Sequence, residues 1–296
     1  MTEQVPDRPP ERDDRTLMQQ ANPRQKPVRQ QAVLTVRSVQ ELGPQLVRIV
    51  AGGPGFAQYN DKEATDKYVK LLFADPKYDL VPPYDMERLR AEEPEKLPVR
   101  RTYTVRAVDT EAQELTLDFV THGDAGGVAA PWAKQAQPGD TIVLTGAGGA
   151  YQPEPETAFH VLAGDLATVP AIAASLEAMD RAAQGVVFVM TDTAEDELSE
   201  LTDAAPAGVT VTWLRPDGEN ALLDQLKRVQ WPADLSGVQA FVHGEREQMK
   251  QIRRYLFNDL GLERSQLSLS AYWAAGRVED EFQAEKKTPI GKIFDD

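Results

Sequence analysis

The sequence predicts two domains in order: an antiparallel β-barrel, then an α/β domain on a parallel sheet. Three observations carry this. From Gln31 to Gly149 the chain is a succession of short, β-branched, largely alternating stretches separated by turn residues, as short antiparallel strands require. After "YQPEPETA" the character changes, and apolar runs alternate with helical ones, as crossover connections require. The length of 296 residues suits two domains of ordinary size.

Residues 1–28, rich in Pro, Arg, Asp and Gln and nearly free of large apolar side chains, read as a disordered tail. The barrel domain is expected over 29–153. Its strands are "AVLTVRSVQEL", "LVRIVAGG", "YVKLLF", "RTYTVRAVD", "ELTLDFVTHG" and "DTIVLTGAGG". "PPYDMERLRAEEPEK" is a helical or loop insertion, and "GGVAAPWAKQAQPGD" is one helix interrupting the barrel. The α/β domain is expected over 154–296. It opens with the strand "FHVLAGD" and a helix with Pro170 near its start, where a missing N–H costs nothing. "GVVFVMTDT", "VTVTWLRP", "VQAFVHGE" and "LSLSAYW" are the later strands; "EREQMKQIRRYLFNDLGL" is the clearest intervening helix. "VEDEFQAEKKTPIGKIFDD" supplies a final helical tail, and no internal repeat is present.

Composition narrows the function. No apolar run approaches the roughly 20 residues of a membrane-spanning helix. "MTEQVPDRPPERDDR" has no apolar signal segment, so a cytoplasmic location without membrane insertion is expected. The net charge of −15 argues against a nucleic-acid partner, although a local basic pocket can still hold an anion. With no cysteine, iron–sulfur clusters, thiolate zinc sites and thiol nucleophiles are excluded. His122, His160 and His243 lie far apart and form no HxxxH or HxH pair, so no resident metal site is expected. No GxSxG occurs, and His160 and Asp165 read as structural rather than catalytic. Redox chemistry in this chain would need an organic cofactor.

The stretch "RRTYTVR" concentrates positive charge in an acidic protein. On a strand, Arg101, Tyr103 and Val105 share one face, and Thr102, Thr104 and Arg106 the other. Arg101 offers a forked donor for phosphate, Tyr103 a flat ring, and Thr104 a hydroxyl for a ring nitrogen. The competing reading, favoured by residue types alone, is an edge strand with solvated arginines. "DFVTHGDAGGVAAPWA" runs from strand through a Gly loop to a helix start, a place suited to anions, with Gly126 and Gly127 permitting close approach. The alternative is an ordinary connection with Trp132 in the core. "GAGGA" fails the dinucleotide pattern, because Tyr151 stands where the last glycine belongs and Pro153 and Pro155 follow. It reads as an interdomain turn. "GDLATVPA" has the better setting between strand and helix for a nicotinamide nucleotide, without a glycine-rich fingerprint.

Taken in order, "YVKLLF", "RRTYTVR", "DFVTHGDAGG…WA…QPGD", "AGDLATVPAIAASLEAM" and "YWAAGRVEDE" resemble the siderophore-interacting proteins. These are FAD-dependent ferric-siderophore reductases of the ferredoxin–NADP reductase-like superfamily, and the resemblance runs from about Gln31 to the C-terminus. It implies an FAD-binding barrel, a nicotinamide-binding α/β domain, and NADH or NADPH as electron donor. It places Arg101 on the FAD pyrophosphate, Tyr103 against the isoalloxazine, Thr104 near its N5, and Arg106 on a further phosphate or the adenine side. Asp118, Phe119, Val120 and His122 would line the flavin, and Ala129, Ala130 and Trp132 would cover its phosphate side. Asp165 and Thr168 fall on the nicotinamide side; Tyr272 and Trp273 approach the flavin from the second domain. Lys70 would face an anionic siderophore. No residue is assigned as acid or base, since positioning does the work.

The chain departs from the family pattern at Leu166 and Ala167, where Glu and Thr are common, and at Ala274, where a basic residue is common. Ala130 and Pro131 likewise replace polar or basic residues, leaving Arg277 as a substitute siderophore contact. A less positive pocket favours a ferric hydroxamate or mixed chelate over a tris-catecholate. The acidic "TDTAEDELSE" tilts the donor toward NADH. A general flavin reductase and a non-enzymatic siderophore or flavin carrier are the alternatives, and a monomer is expected.

Overall fold

The computed structural model describes residues 30–121, 127–218, 220–286 and 288–294. The expected disordered tail, His122 and Gly126 lie outside the described residues. Strands β1 (Gln31–Gly43), β2 (Leu46–Gly52), β3 (Tyr68–Phe73), β4 (Val99–Asp109), β5 (Glu114–Val120) and β6 (Thr141–Gly148) close into an antiparallel barrel. Their order is β1-β2-β5-β4-β3-β6. Alternation supplies the interior: Ala32, Leu34 and Val36 of β1 are buried, and Leu34 pairs across the closing seam with Ile142. Helix α1 (Met86–Glu92) fills the insertion between β3 and β4, capped by the Asp85 carboxylate. Helix α2 (Ala129–Gln135) buries Ala129 and Ala133 in the barrel core.

One bulge matters for the site. The β4–β5 register shifts between Val105 and Ala107, so Arg106 is the extra residue. The alternation breaks there, and Thr104, Val105 and Arg106 are buried in succession.

The second domain is a five-stranded sheet of order β11-β10-β7-β8-β9, parallel at every pairing. Its strands are β7 (Phe159–Asp165), β8 (Gln184–Met190), β9 (Gly208–Leu214), β10 (Val238–Glu245) and β11 (Leu267–Trp273). Helices α3 (Val169–Ala178), α4 (Ser199–Ala204), α5 (Ala221–Lys227) and α6 (Arg246–Arg253) connect them, and α7 (Glu279–Glu285) follows β11. All eleven predicted strands are present in the predicted order.

The two domains are welded rather than tethered. Leu46 of the barrel is fully buried in the core formed by α3, β7 and β8. Beside it runs a chain of ion pairs. Arg48 binds Asp118 on its own barrel at 2.7 Å and Glu200 of α4 at 2.7 Å; Arg106 binds Glu177 of α3 at 2.6 Å. The Gln45 amide donates to Asp196 at 2.8 Å, and Ser175 meets Thr65 at 2.8 Å.

Candidate cofactor and substrate site

Between barrel and sheet lies a cavity of about 480 Å³. The barrel contributes Tyr68 and Lys70 from β3, Tyr103 and Thr104 from β4, and Asp118 and Val120 from β5. The second domain contributes His243, Tyr272 and Trp273 from the ends of β10 and β11, with Ala167 and Pro170 at the start of α3. Helix α7 and the residue after it close the cavity with Glu279, Gln283 and Lys286. Seven of the residues singled out in the sequence therefore converge: Lys70, Tyr103, Thr104, Asp118, Val120, Tyr272 and Trp273.

Strand pairing explains the convergence on the barrel side. Lys70 is the register partner of Thr102, and Tyr68 of Thr104. The Lys70 ammonium donates to the Thr102 hydroxyl and lies 5.7 Å from the Tyr68 ring centroid. The Tyr68 ring lies across Gly148, where a Cβ would come within 2.1 Å of it. Tyr103 belongs to the other face, so its ring is backed by the barrel core: Phe119 stands 4.4 Å away, and Trp132 backs Phe119 at 5.7 Å. Burial pushes the Tyr103 phenol above its usual value, and the same holds for Tyr272, so both stay neutral. Tyr272 and Thr104 line the same cavity from opposite sides of the domain boundary. Behind Tyr272, the His243 ring lies 4.8 Å away, with its nitrogens 3.0 Å from the Ser270 and Ser268 hydroxyls. Burial lowers the His243 pKa to about 3, so it too is neutral at physiological pH.

A second cavity of about 290 Å³ opens at the carboxyl ends of β7, β8 and β10, where parallel sheets hold ligands. It shares Ala167 and Trp273 with the first. Asp165 and Asp192 also line it. Asp165 accepts from the Ala167 amide at 2.9 Å and from Trp273 Nε1 at 2.6 Å, so one carboxylate fixes both the loop and the indole between the cavities.

Other expected residues stand elsewhere. Phe119 is fully buried behind Tyr103, and Trp132 packs between Phe73 and Phe119; both serve the barrel core. Ala129 is buried there with them, and Ala130 shares the same short helix away from the cavity lining. Arg106 is spent on Glu177 and Glu200, and Asp118 presents its carboxylate to Arg48 in a two-pronged pair. Thr168 is fully buried and donates to the Asp165 carbonyl at 2.6 Å, a turn-fixing contact. Arg101 does not line the cavity; its guanidinium meets Asp280 of α7 at 3.2 Å. Arg277 turns away to Glu285 at 2.6 Å. Conversely, sequence reasoning missed Tyr68, His243, Glu279, Gln283 and Lys286. Alternation within "YVKLLF" places Tyr68 beside Lys70; nothing local places α7 over β4.

The site fits a flavin by its donor set: a core-backed tyrosine ring, a neutral threonine–tyrosine hydroxyl pair, and aromatic walls from both domains. Of the four buried side-chain atoms that lack a partner among the described residues, one stands next to the cavity lining. Thr121 Oγ1, one residue beyond the lining Val120, has no hydrogen bond. Among the described residues no group of three or more His, Asp or Glu is arranged to hold a metal, and no helix is long and apolar enough to cross a membrane.

Comparison with known proteins is consistent along the chain. Residues 35–151 match the family described as siderophore-interacting FAD-binding domain, and residues 157–276 match the siderophore-interacting protein family. An uncharacterized protein of Mycobacterium tuberculosis is 39% identical, covering 85% of this chain and 93% of its own. The ferric vibriobactin reductase ViuB of Vibrio cholerae is 35% identical, covering 68% and 74%. The NADPH-dependent ferric-chelate reductase of Escherichia coli is 30% identical, covering 82% and 92%. Among solved structures, a siderophore utilization protein from T. fusca superimposes with a TM-score of 0.71 at 31% identity, covering 84% and 95%.

Proposed function

The chain belongs to the siderophore-interacting protein family, and on that premise we propose that it reduces ferric siderophores using FAD and a nicotinamide donor, NADH before NADPH. The observation that carries this reading is the interdomain cavity that joins Tyr103, Thr104 and Tyr272 to Lys70. FAD, when bound, would accept one hydride and yield its two electrons singly, which matches a two-electron donor to a one-electron ferric acceptor.

The protein's share is positioning. Tyr103, stiffened by Phe119, offers the ring face against which an isoalloxazine lies. Thr104 and Tyr272 present neutral hydroxyls to its polar edge. Arg101, which meets the exposed Asp280 and the Arg100 carbonyl through one guanidinium nitrogen, keeps its other donors for the pyrophosphate. The second cavity would take the nicotinamide, with Trp273 between donor and flavin. Acidic lining supports NADH: Asp192 faces that cavity, and Arg215, next to the lining Pro216, is already paired with Glu197. The substrate brings its own iron ligands, so the chain needs none. Lysines and carboxylates share the first cavity, with Lys70 and Lys286 set against Asp66 and Glu279, which suits a hydroxamate or mixed chelate better than a tris-catecholate.

The absorption spectrum of the purified protein tests the reading. Flavin bands that bleach with NADH, and more slowly with NADPH, are expected. A protein that binds FAD but is bleached by neither nucleotide would overturn it.

A further inference from the structure

Lys286 stands out among the cavity residues. It lies at the C-terminal end of α7 and lines the same cavity as Lys70. Its ammonium rests 4.5 Å from the Phe282 ring centroid and makes no salt bridge or side-chain hydrogen bond with a described residue. Desolvation holds its pKa below the usual lysine value, the Glu279 carboxylate of the same helix offsets part of that and the Lys70 charge adds to it, so an anion placed between the two lysines would be stabilised by both. Arg277, by contrast, is committed to Glu285, which also binds Arg246.

The placement is fixed by the other end of α7. Glu279 accepts from the Thr102 hydroxyl at 3.1 Å and from Gln283 at 3.0 Å, and Asp280 meets Arg101. Phe282, nearly fully buried beside Ala271 and Ala274, seats the helix on β11. The helix therefore lies across β4 and carries Lys286 to the wall of the cavity that Lys70 also lines. The two cations arrive on separate elements, one from the barrel and one from the C-terminal segment.

Resting on the proposed ferric-chelate reading, we infer that Lys286 is a specificity-determining residue which, together with Lys70, grips anionic oxygen donors of the ferric chelate. A chelate carrying a free carboxylate engages it; a neutral trihydroxamate does not depend on it.

Binding to the FAD-loaded full chain, read by quenching of tryptophan fluorescence with redox-inert gallium(III) complexes, tests this without turnover. Gallium citrate is the anionic probe and a gallium trihydroxamate the neutral one. Lys286→Ala is expected to weaken citrate binding about tenfold and trihydroxamate binding less than about twofold, with Lys286→Arg restoring most of the difference. Equal losses for both probes, or no loss for either, would overturn the inference while leaving the ferric-chelate reading in place. A wild-type protein that binds neither probe would overturn both.

Discussion

Tyr103 illustrates how a binding surface is made from a strand residue. Its ring is presented to the cavity because Phe119, and Trp132 behind that, prevent it from sinking further into the barrel. Tyr103→Ala should therefore weaken FAD about tenfold, and Tyr103→Phe less than about threefold, in fluorescence titrations of the FAD-free protein. Unchanged affinity in the alanine variant would remove Tyr103 from the flavin site. The family resemblance singled out Tyr103, Thr104 and Lys70, and all three line the cavity, whereas alternation alone set Tyr103 and Thr104 on opposite faces. Phe119, Arg106 and Trp132 stand off the cavity lining. Their motifs identify the neighbourhood, but burial and ion pairing decide which side chains reach the cavity.

Strand β4 does two jobs along its length, divided by the bulge at Arg106. Its first half faces the cavity, and its second half joins the ion pairs that lock barrel to sheet. Within that network Asp118 is nearly fully buried, and Arg48 supplies both of its charged hydrogen bonds. Arg48→Ala strands that carboxylate and should cost about 3–5 kcal/mol, seen as a lower urea midpoint. The Arg48→Met, Asp118→Leu double variant should recover much of the loss. A single variant as stable as wild type would mean the pair contributes nothing. None of these partners was legible in the sequence, since Arg48 and Glu200 are 152 positions apart and nothing local joins them. Helix α7 poses the same problem. Its existence was read from "VEDEFQAEKK", but not that it crosses β4 and brings Lys286 to the cavity.

The response to acid is carried by the α/β domain, whose strands β7 and β10 hold both buried histidines. Burial lowers His160 to about 4 and His243 to about 3, below the ordinary 6.5 of an exposed imidazole. The unfolded chain therefore takes up protons first as pH falls. Stability is full above about pH 6.5 and is lost toward pH 4 and below, by at most about 1.4 kcal/mol per pH unit for each histidine. Urea midpoints at pH 7, 6 and 5 should show this decline, and His243→Gln should flatten it; a flat profile in the wild type would refute the assignment. The order of domains, every strand and the interdomain cavity follow from patterns in the chain, whereas the welding of the domains depends on contacts distant in sequence. That weld keeps the two halves of the cavity in register for one electron path. The path can be measured anaerobically by reducing the FAD-loaded protein with one equivalent of NADH, then adding a ferric trihydroxamate and a ferrous-specific chromogenic chelator. The flavin bands should return as two ferrous ions form per nicotinamide oxidised. Flavin that stays bleached, with no ferrous iron trapped, would contradict ferric-siderophore reduction by this protein.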